Sequence, residues 1–169
     1  MQVDGKRNIV NIMHNVNHSA LAARALSQLM LASLMMADDM DRGLAKRGLT
    51  RTRAKALWEI AHRTPVTQRD LADALKVSPR NVTALVDALE KGGFVVRKDH
   101  PTDRRAIVLD LSEKGGRAVS KMKRDAHRFA QDLFGNLEPE ALKNFLVALD
   151  QVTKKLEHLI SEDRKSAKS

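Results

Sequence analysis

Residues 67–93 read TQRDLADALKVSPRNVTALVDALEKGG and contain two helix-start signals in close succession. Thr67 and Asp70 form a Ser/Thr-x-x-Asp/Glu pattern, in which each side chain satisfies a free backbone N–H of a first helical turn. Ser78 followed by Pro79 is a second start, because serine caps well and proline suits the first helical position. A pair of glycines ends the second helix, and only a short turn separates the two. The stretch therefore predicts a helix-turn-helix.

The hydrophobic period changes after these glycines from about 3.6 residues to about 2. Residues 94–98 and 107–111 alternate as strands, and residues 99–104 between them have the composition of a turn. The pair predicts a β-hairpin with a charged tip, so the central region is a winged helix. Ahead of it, residues 64–66 are a break or a short strand. The expected fold class is mainly α with a small β-hairpin wing.

Further helices flank this winged helix. The first covers residues 20–46, the second begins at the N-cap Thr50, the fifth follows the N-cap Ser112, and the last begins at residues 138–139. Because the winged helix occupies only the middle of the chain, the apolar stripes of the long helices have little core of their own to cover. This favours a homodimer, and packing within one chain is the alternative. The stripes are Ala22, Leu26, Leu29, Ser33, Met36, Met40 and Leu44; Val119, Met122, Ala126, Phe129 and Leu133; and Leu142, Phe145, Leu149, Val152, Leu156 and Leu159.

Composition excludes several classes of protein. The 169 residues contain no cysteine, which rules out a disulfide scaffold, a thiolate zinc site and a cysteine nucleophile. There is no phosphate-cradling glycine loop, Gly-x-Ser-x-Gly elbow or His-Glu-x-x-His pair, so no enzyme is predicted. The longest apolar-rich run is interrupted by Ser27, Gln28 and Ser33, which argues against a membrane span, and a cytoplasmic location is expected. A formal charge of +9 favours a polyanionic partner.

The second helix of the helix-turn-helix has a polar face suited to double-stranded DNA. With about 100° per residue, Val82 and its apolar neighbours face inward and the opposite side is polar. Arg80 can donate twice to guanine, Asn81 can read adenine, and the Thr83 methyl can meet a thymine methyl. Small residues on this face permit close approach. We therefore assign Arg80, Asn81, Thr83 and Ala84 to the major groove, and Gln68, Arg69, Ser78, Lys91 and Lys98 to the DNA backbone.

The predicted hairpin tip carries Asp103, Arg104 and Arg105. Guanidinium groups on a protruding turn suit phosphates or a narrow minor groove. The alternative is a turn that is charged only for solubility.

These motifs together resemble the MarR (multiple antibiotic resistance regulator) family over residues 49–116. The quoted matches are VTQRDLA at 66–72, VSPRNVTALVDALEKGG at 77–93, DRR at 103–105 and LSEKG at 111–115.

The resemblance implies a homodimer whose first, fifth and sixth helices interlock, with each winged helix reading half of a roughly palindromic operator. It implies that Arg105 reaches the minor groove while Asp103 holds it. It further implies repression of transcription, relieved by a small aromatic or anionic effector. With Trp58 as the single tryptophan and no tyrosine, the pocket aromatics of relatives are not transferable, and the lack of cysteine excludes the peroxide-sensing branch.

The expected organisation is a single domain over residues 1–169. Within it, an N-terminal extension and dimerisation helix cover 1–48, and the DNA-binding lobe covers 49–112. C-terminal dimerisation helices cover 113–161, and a tail covers 162–169.

Two alternatives remain beside this interpretation. A winged helix used only for protein interaction would have an apolar outward face, and Arg80 and Lys91 argue against it. A metal-responsive regulator is the second, because His14 and His18 are spaced i, i+4. No third ligand is set by spacing, so no metal and no cofactor are expected. The nearby carboxylates are Asp38, Asp39 and Asp41.

Overall fold

The computed structural model describes residues 4–63, 65–99 and 106–166, with side chains from residue 17 onward. This part of the chain is mostly helical with one small antiparallel sheet, which confirms the predicted fold class. It divides into two compact units, Met1–Val119 and Ser120–Ser169. The elements are α1 (Asp4–Ala45), α2 (Arg51–His62), β1 (Val66–Thr67), α3 (Gln68–Leu75), α4 (Pro79–Lys91), β2 (Val95–Asp99), β3 (Ile107–Leu111), α5 (Glu113–Phe134) and α6 (Pro139–Ser166).

The first helix is longer than predicted. α1 is continuous over 42 residues, so the prediction that this helix begins near residue 20 is wrong. The segment expected to form a separate extension contains no proline, and its single glycine, Gly5, lies in the first turn. With no residue to break it, the helical backbone runs on to Asp4.

Most apolar side chains of α1 are exposed. Leu44 is buried as predicted, whereas Leu26 in the same stripe is 59% exposed. By length and composition alone, Asn17–Ala45 is apolar enough to cross a membrane. The serines that interrupt this run are no obstacle, because the Ser27 and Ser33 hydroxyls donate hydrogen bonds to helix carbonyls at 3.0 and 2.8 Å. The interruptions therefore do not by themselves exclude a span.

The core of the first unit lies between α2, α3, α4 and the sheet. The Thr50 hydroxyl caps α2 by accepting from the Arg53 N–H at 3.3 Å, as predicted. Leu57 and Ile60 are fully buried, which confirms the inward face of α2. The apolar stripe of α4 is likewise buried at Val82, Val86 and Leu89, and the other fully buried large side chains are Leu71, Leu109, Val66 and Val95.

The sheet has three strands in the order β1-β3-β2, with both pairs antiparallel. The segment before α3, which was predicted as a break or a short strand, thus contributes the strand β1. Strict alternation does not hold along β3, because Val108 and Leu109 are both buried while Ile107 is 47% exposed. Residues 108 and 109 are flanked by β1 and β2, whereas residue 107 pairs with β2 alone.

The start of α5 packs closely on the chain before β2. A Cβ at Gly115 would lie 2.0 Å from the Phe94 carbonyl oxygen, so this position requires glycine. The Ser112 hydroxyl accepts from the Gly115 N–H at 3.0 Å, which confirms the predicted cap. Lys114 Nζ donates to the Gly92 carbonyl at 2.7 Å and lies 4.4 Å from the Phe94 ring centroid. These contacts fix the wing strand beside the end of α4.

The second unit contains the rest of α5 and α6. The Phe134 and Phe145 rings pack with centroids 6.0 Å apart. α6 continues to Ser166, so the described residues of the expected tail, 162–166, are helical. Most of the predicted stripe on α6 is exposed, including Val152, Leu156 and Leu159.

Candidate nucleic-acid interface

A reciprocal capping box fixes the N-terminus of α3. The Thr67 hydroxyl accepts from the Asp70 N–H at 3.2 Å, and the Asp70 carboxylate accepts from the Thr67 N–H at 2.9 Å. The Thr67 hydroxyl also donates to Asp70 Oδ2 at 2.7 Å. These bonds from Thr67 hold the pKa of the Asp70 carboxyl below its ordinary value. The box thereby sets the position of Gln68 and Arg69 in the first turn.

The turn between α3 and α4 depends on an unusual backbone conformation at Lys76. Its φ of 56° and ψ of 44° lie in the left-handed region, which glycine adopts at less cost. The Val77 N–H donates to the Ala72 carbonyl at 3.1 Å and closes the turn. Nothing in the sequence pattern identified Lys76, because lysine carries no turn signal.

The N-terminus of α4 presents the residues assigned to the major groove. Ser78 caps the helix by accepting from the Asn81 N–H at 3.3 Å, and Pro79 occupies the first turn, as predicted. The Thr83 hydroxyl donates to the Pro79 carbonyl at 3.0 Å, which leaves its methyl group as the uncommitted part of the side chain. The four assigned residues are all exposed on α4: Arg80, Asn81, Thr83 and Ala84.

A groove of about 480 Å³ runs between α3 and the start of α4. Gln68 is half-buried in it, and its Nε2 is buried without a hydrogen-bond partner. Arg69 and Thr83 border the same groove and bring the two helices to one surface. The lining residues are Gln68, Arg69, Ala72, Asp73, Val77, Pro79, Val82 and Thr83.

The remaining assigned residues lie apart from this groove. Lys91 is exposed in the last turn of α4, about 16 Å along the helix from Arg80. Lys98 Nζ pairs with Asp110 Oδ2 at 2.6 Å across the two wing strands, and this bond lowers the pKa of Asp110. Lys98 is therefore already matched to a carboxylate. The wing residues Asp103, Arg104 and Arg105 lie outside the described residues.

Sequence reasoning missed Arg97, which joins β2 to α4. Its guanidinium donates to Asp87 Oδ1 at 2.5 Å and also pairs with the Glu90 carboxylate. Alternation within β2 places Arg97 on the same side as the buried Val95. This alternation could have identified Arg97 from the sequence as an inward-facing arginine. Asp87 is exposed on α4, and its carboxylate is occupied by Arg97.

The carboxylates considered for a metal are paired with arginines. Asp41 accepts from Arg51 Nε and Nη2 at 2.5 and 2.6 Å, and this lowers the pKa of Asp41. Arg42 pairs with both Asp38 and Asp39. In the described ranges, no group of three or more His, Asp or Glu side chains is close enough to hold a metal ion, and the His14 side chain lies outside those ranges.

Two capped helices joined by a tight turn and followed by an antiparallel wing define a winged helix-turn-helix. Residues 49–107 match the model of the MarR family. The HTH-type transcriptional regulator YwhA of Bacillus subtilis is 25% identical over 134 residues, 79% of this chain and 96% of that protein. The transcriptional repressor MprA of Escherichia coli is 28% identical over 121 residues, 70% of this chain and 66% of that protein. The resemblance to the MarR family that the motifs indicated is thus supported over residues 49–107.

Solved structures agree on the fold. The crystal structure of the Staphylococcus aureus MepR–DNA complex matches with a TM-score of 0.58 and 23% identity, over 76% of this chain and 94% of that chain. The family and the relatives are transcriptional regulators and not enzymes, which confirms the expectation of a non-enzymatic protein.

Proposed function

We propose that this protein is a regulator that binds double-stranded DNA sequence-specifically, with the start of α4 in the major groove. The observation that carries the proposal is the exposure of Arg80, Asn81, Thr83 and Ala84 on the first turns of a capped helix whose opposite face is buried. Base contacts from a helix-turn-helix come from this end of the second helix. That the related MepR is known as a DNA complex supports the same use of the fold.

The chemistry of this surface matches base edges rather than a protein partner. Arg80 supplies paired donors for guanine, and Asn81 supplies a donor and an acceptor for adenine. The internally bonded Thr83 hydroxyl leaves a methyl for thymine, and Ala84 lets the groove wall approach. A helix face used for protein interaction would be apolar, whereas the outward face of α4 is polar in the described residues.

Contacts to the phosphates would come from the groove between α3 and α4. Gln68 lines this groove, and Arg69 is exposed beside it. Ser78 is exposed at the N-terminus of α4, where free backbone N–H groups attract an anion. The net charge of +9 supports nonspecific attraction to the duplex. Lys91, Lys98 and the wing pair Arg104 and Arg105, with Asp103 holding Arg105, complete the proposed contacts.

We expect the functional form to be a homodimer in the cytoplasm. The exposed apolar residues of α1 lie all round the helix, which is typical of a helix that is covered on several sides. A second copy of this chain is the occupant we propose, since a dimer would also present two α4 helices to a roughly palindromic site. Sedimentation should show a dimer at micromolar concentration, and a stable folded monomer there would contradict this. The exposed residues are Leu21, Leu26, Leu29, Met30, Leu31, Leu34, Met35, Met36 and Met40.

Repression relieved by an effector is the expected regulatory outcome. The relative MprA is named a transcriptional repressor, which supports the direction of control. A small aromatic or anionic molecule is the proposed effector class. Benzoate added to the protein–DNA complex should raise the dissociation constant of the DNA, and an unchanged constant at every benzoate concentration would contradict that class.

Selection of bound sequences from random duplex DNA tests the proposed function. Wild-type protein should enrich a consensus made of two related half-sites. Arg80→Ala should enrich a consensus that has lost its preference at one position in each half. Arg117→Ala is the matched control, because it removes an exposed, ion-paired arginine on α5 and should keep the wild-type consensus. Enrichment of no sequence by the wild type would refute the proposal.

A further inference from the structure

Arg97 connects the wing to the helix proposed to read the bases. It lies in the middle of β2, on the same side as Val95, which is 1% exposed. Only 28% of its side chain is exposed, so its stem is largely covered while the guanidinium reaches α4. There, Nη2 donates to Asp87 at 2.5 Å and Nη1 donates to the Glu90 carboxylate. Both terminal nitrogens are thus bonded to one helix.

The hydrogen bonds from Arg97 fix the orientation of α4 on β2, which apolar packing does not do because it is not directional. Asp87 and Glu90 are spaced i, i+3, so they lie side by side on α4. A planar guanidinium that bonds both carboxylates resists rotation of the helix about its axis and sliding along the strand. A lysine in place of Arg97 would supply one compact charge and could not hold the same geometry.

One of the two carboxylates, that of Asp87, lies on the proposed base-reading side of α4. Asp87 is one helical turn beyond Thr83 and two turns beyond Arg80 on the same side of α4. Unpaired carboxylates at these positions would repel the phosphates of a bound duplex. Arg97 neutralises one of the two negative charges and bonds to both groups.

We propose that Arg97 is a positioning residue for DNA recognition: it holds α4 in register against β2 and masks Asp87 and Glu90 from the duplex. This inference rests on the proposed function. Arg97 then acts through α4 and touches neither base nor phosphate. The competing role is a direct phosphate contact by Arg97, and the two roles predict different behaviour when the carboxylates are removed.

The test compares four proteins as full chains: the wild type, Arg97→Ala, the pair Asp87→Asn with Glu90→Gln, and all three changes together. Binding to the selected duplex is measured by fluorescence anisotropy. Arg97→Ala should weaken binding about tenfold. In that background the amide pair should restore binding about fivefold, because the unmasked charges are gone. In the wild-type background the same pair should give a smaller gain, because Arg97 already neutralises one of the two charges and the pair also removes the bonds that hold α4.

Amide hydrogen exchange of α4 in the free protein supplies a readout that needs no DNA. Arg97→Ala and the amide pair should each speed exchange in α4, and the combined variant should be no faster than either. The amide pair changes only exposed side chains to isosteric ones, so it remains informative if Arg97→Ala folds poorly. Arg117→Ala, whose partner Glu113 lies on α5, should alter neither measurement.

Each outcome decides the matter. An equal gain from the amide pair in both backgrounds would overturn the proposal and favour direct phosphate contact. Additive effects on exchange would overturn the proposed hold on α4. If the wild type binds no duplex selectively, the proposed function itself fails, and the role of Arg97 in recognition fails with it. If the wild type binds selectively but the effects of the Arg97 and carboxylate changes are additive, the role of Arg97 is refuted and the proposed function stands.

Discussion

Replacing Arg80 by alanine should separate reading of the base sequence from attachment to DNA. Arg80 is exposed in the first turn of α4, behind the cap made by Ser78, so its removal should leave the helix intact. A bidentate arginine–guanine contact is worth about 1–3 kcal/mol of discrimination. The dissociation constant for the preferred duplex should therefore rise about 5- to 150-fold.

The assay is anisotropy with three duplexes: the preferred site, the same site with the guanine position changed, and a scrambled sequence. Arg80→Ala should bind the first two with nearly equal affinity, and its affinity for the scrambled duplex should fall far less. The control Arg117→Ala should retain the wild-type preference. Equal losses on all three duplexes would show that Arg80 contributes charge and not base readout, and would refute the reasoning.

Three further predictions concern the supports of this surface. Lys76→Gly should raise the free energy of unfolding by up to about 1 kcal/mol in urea titrations, because glycine relieves the left-handed strain; a decrease would contradict it. Asp70→Ala should cost about 1 kcal/mol at pH 6. The pKa of Asp70 is lowered in the folded protein, so its contribution is present above the unfolded pKa and lost as pH falls through the folded one; an equal cost near pH 3 would contradict this. Gly115→Ala should cost about 1–3 kcal/mol through its clash with Phe94, whereas Gly116→Ala, with open space, should be neutral or stabilising; equal thermal stability of the two variants would contradict it.

The features predicted well are those set by a few neighbouring residues. The caps at Thr67 and Ser78 depend on side chains three residues from the N–H groups they serve, so both were readable as patterns. The inward and outward faces of α4 follow from a period that the residue types display directly. The short turn that joins α3 to α4 was readable in the same way, from the second helix-start signal that follows the first so closely.

The features that the sequence did not predict depend on contacts between residues of different elements or on segments too short to show a hydrophobic period. Arg97 bonds carboxylates seven and ten residues away, and only the docking of β2 beside α4 brings them together. β1 is too short to show a period, so the sequence left this segment open as a break or a short strand, and pairing with β3 decides for the strand. The N-terminal half of α1 does carry apolar residues at helical spacing, Ile9, Ile12, Met13 and Val16, and the prediction missed this part of the helix because it treated the segment as a separate extension.

Protection of guanine N7 from methylation, measured on the selected duplex with wild-type protein, tests the central claim most directly because N7 lies in the major groove. The account predicts two protected patches about one helical turn apart, with protection lost at the paired guanine in Arg80→Ala. A duplex bound tightly with every guanine N7 still reactive would contradict the claim that α4 reads bases from the major groove.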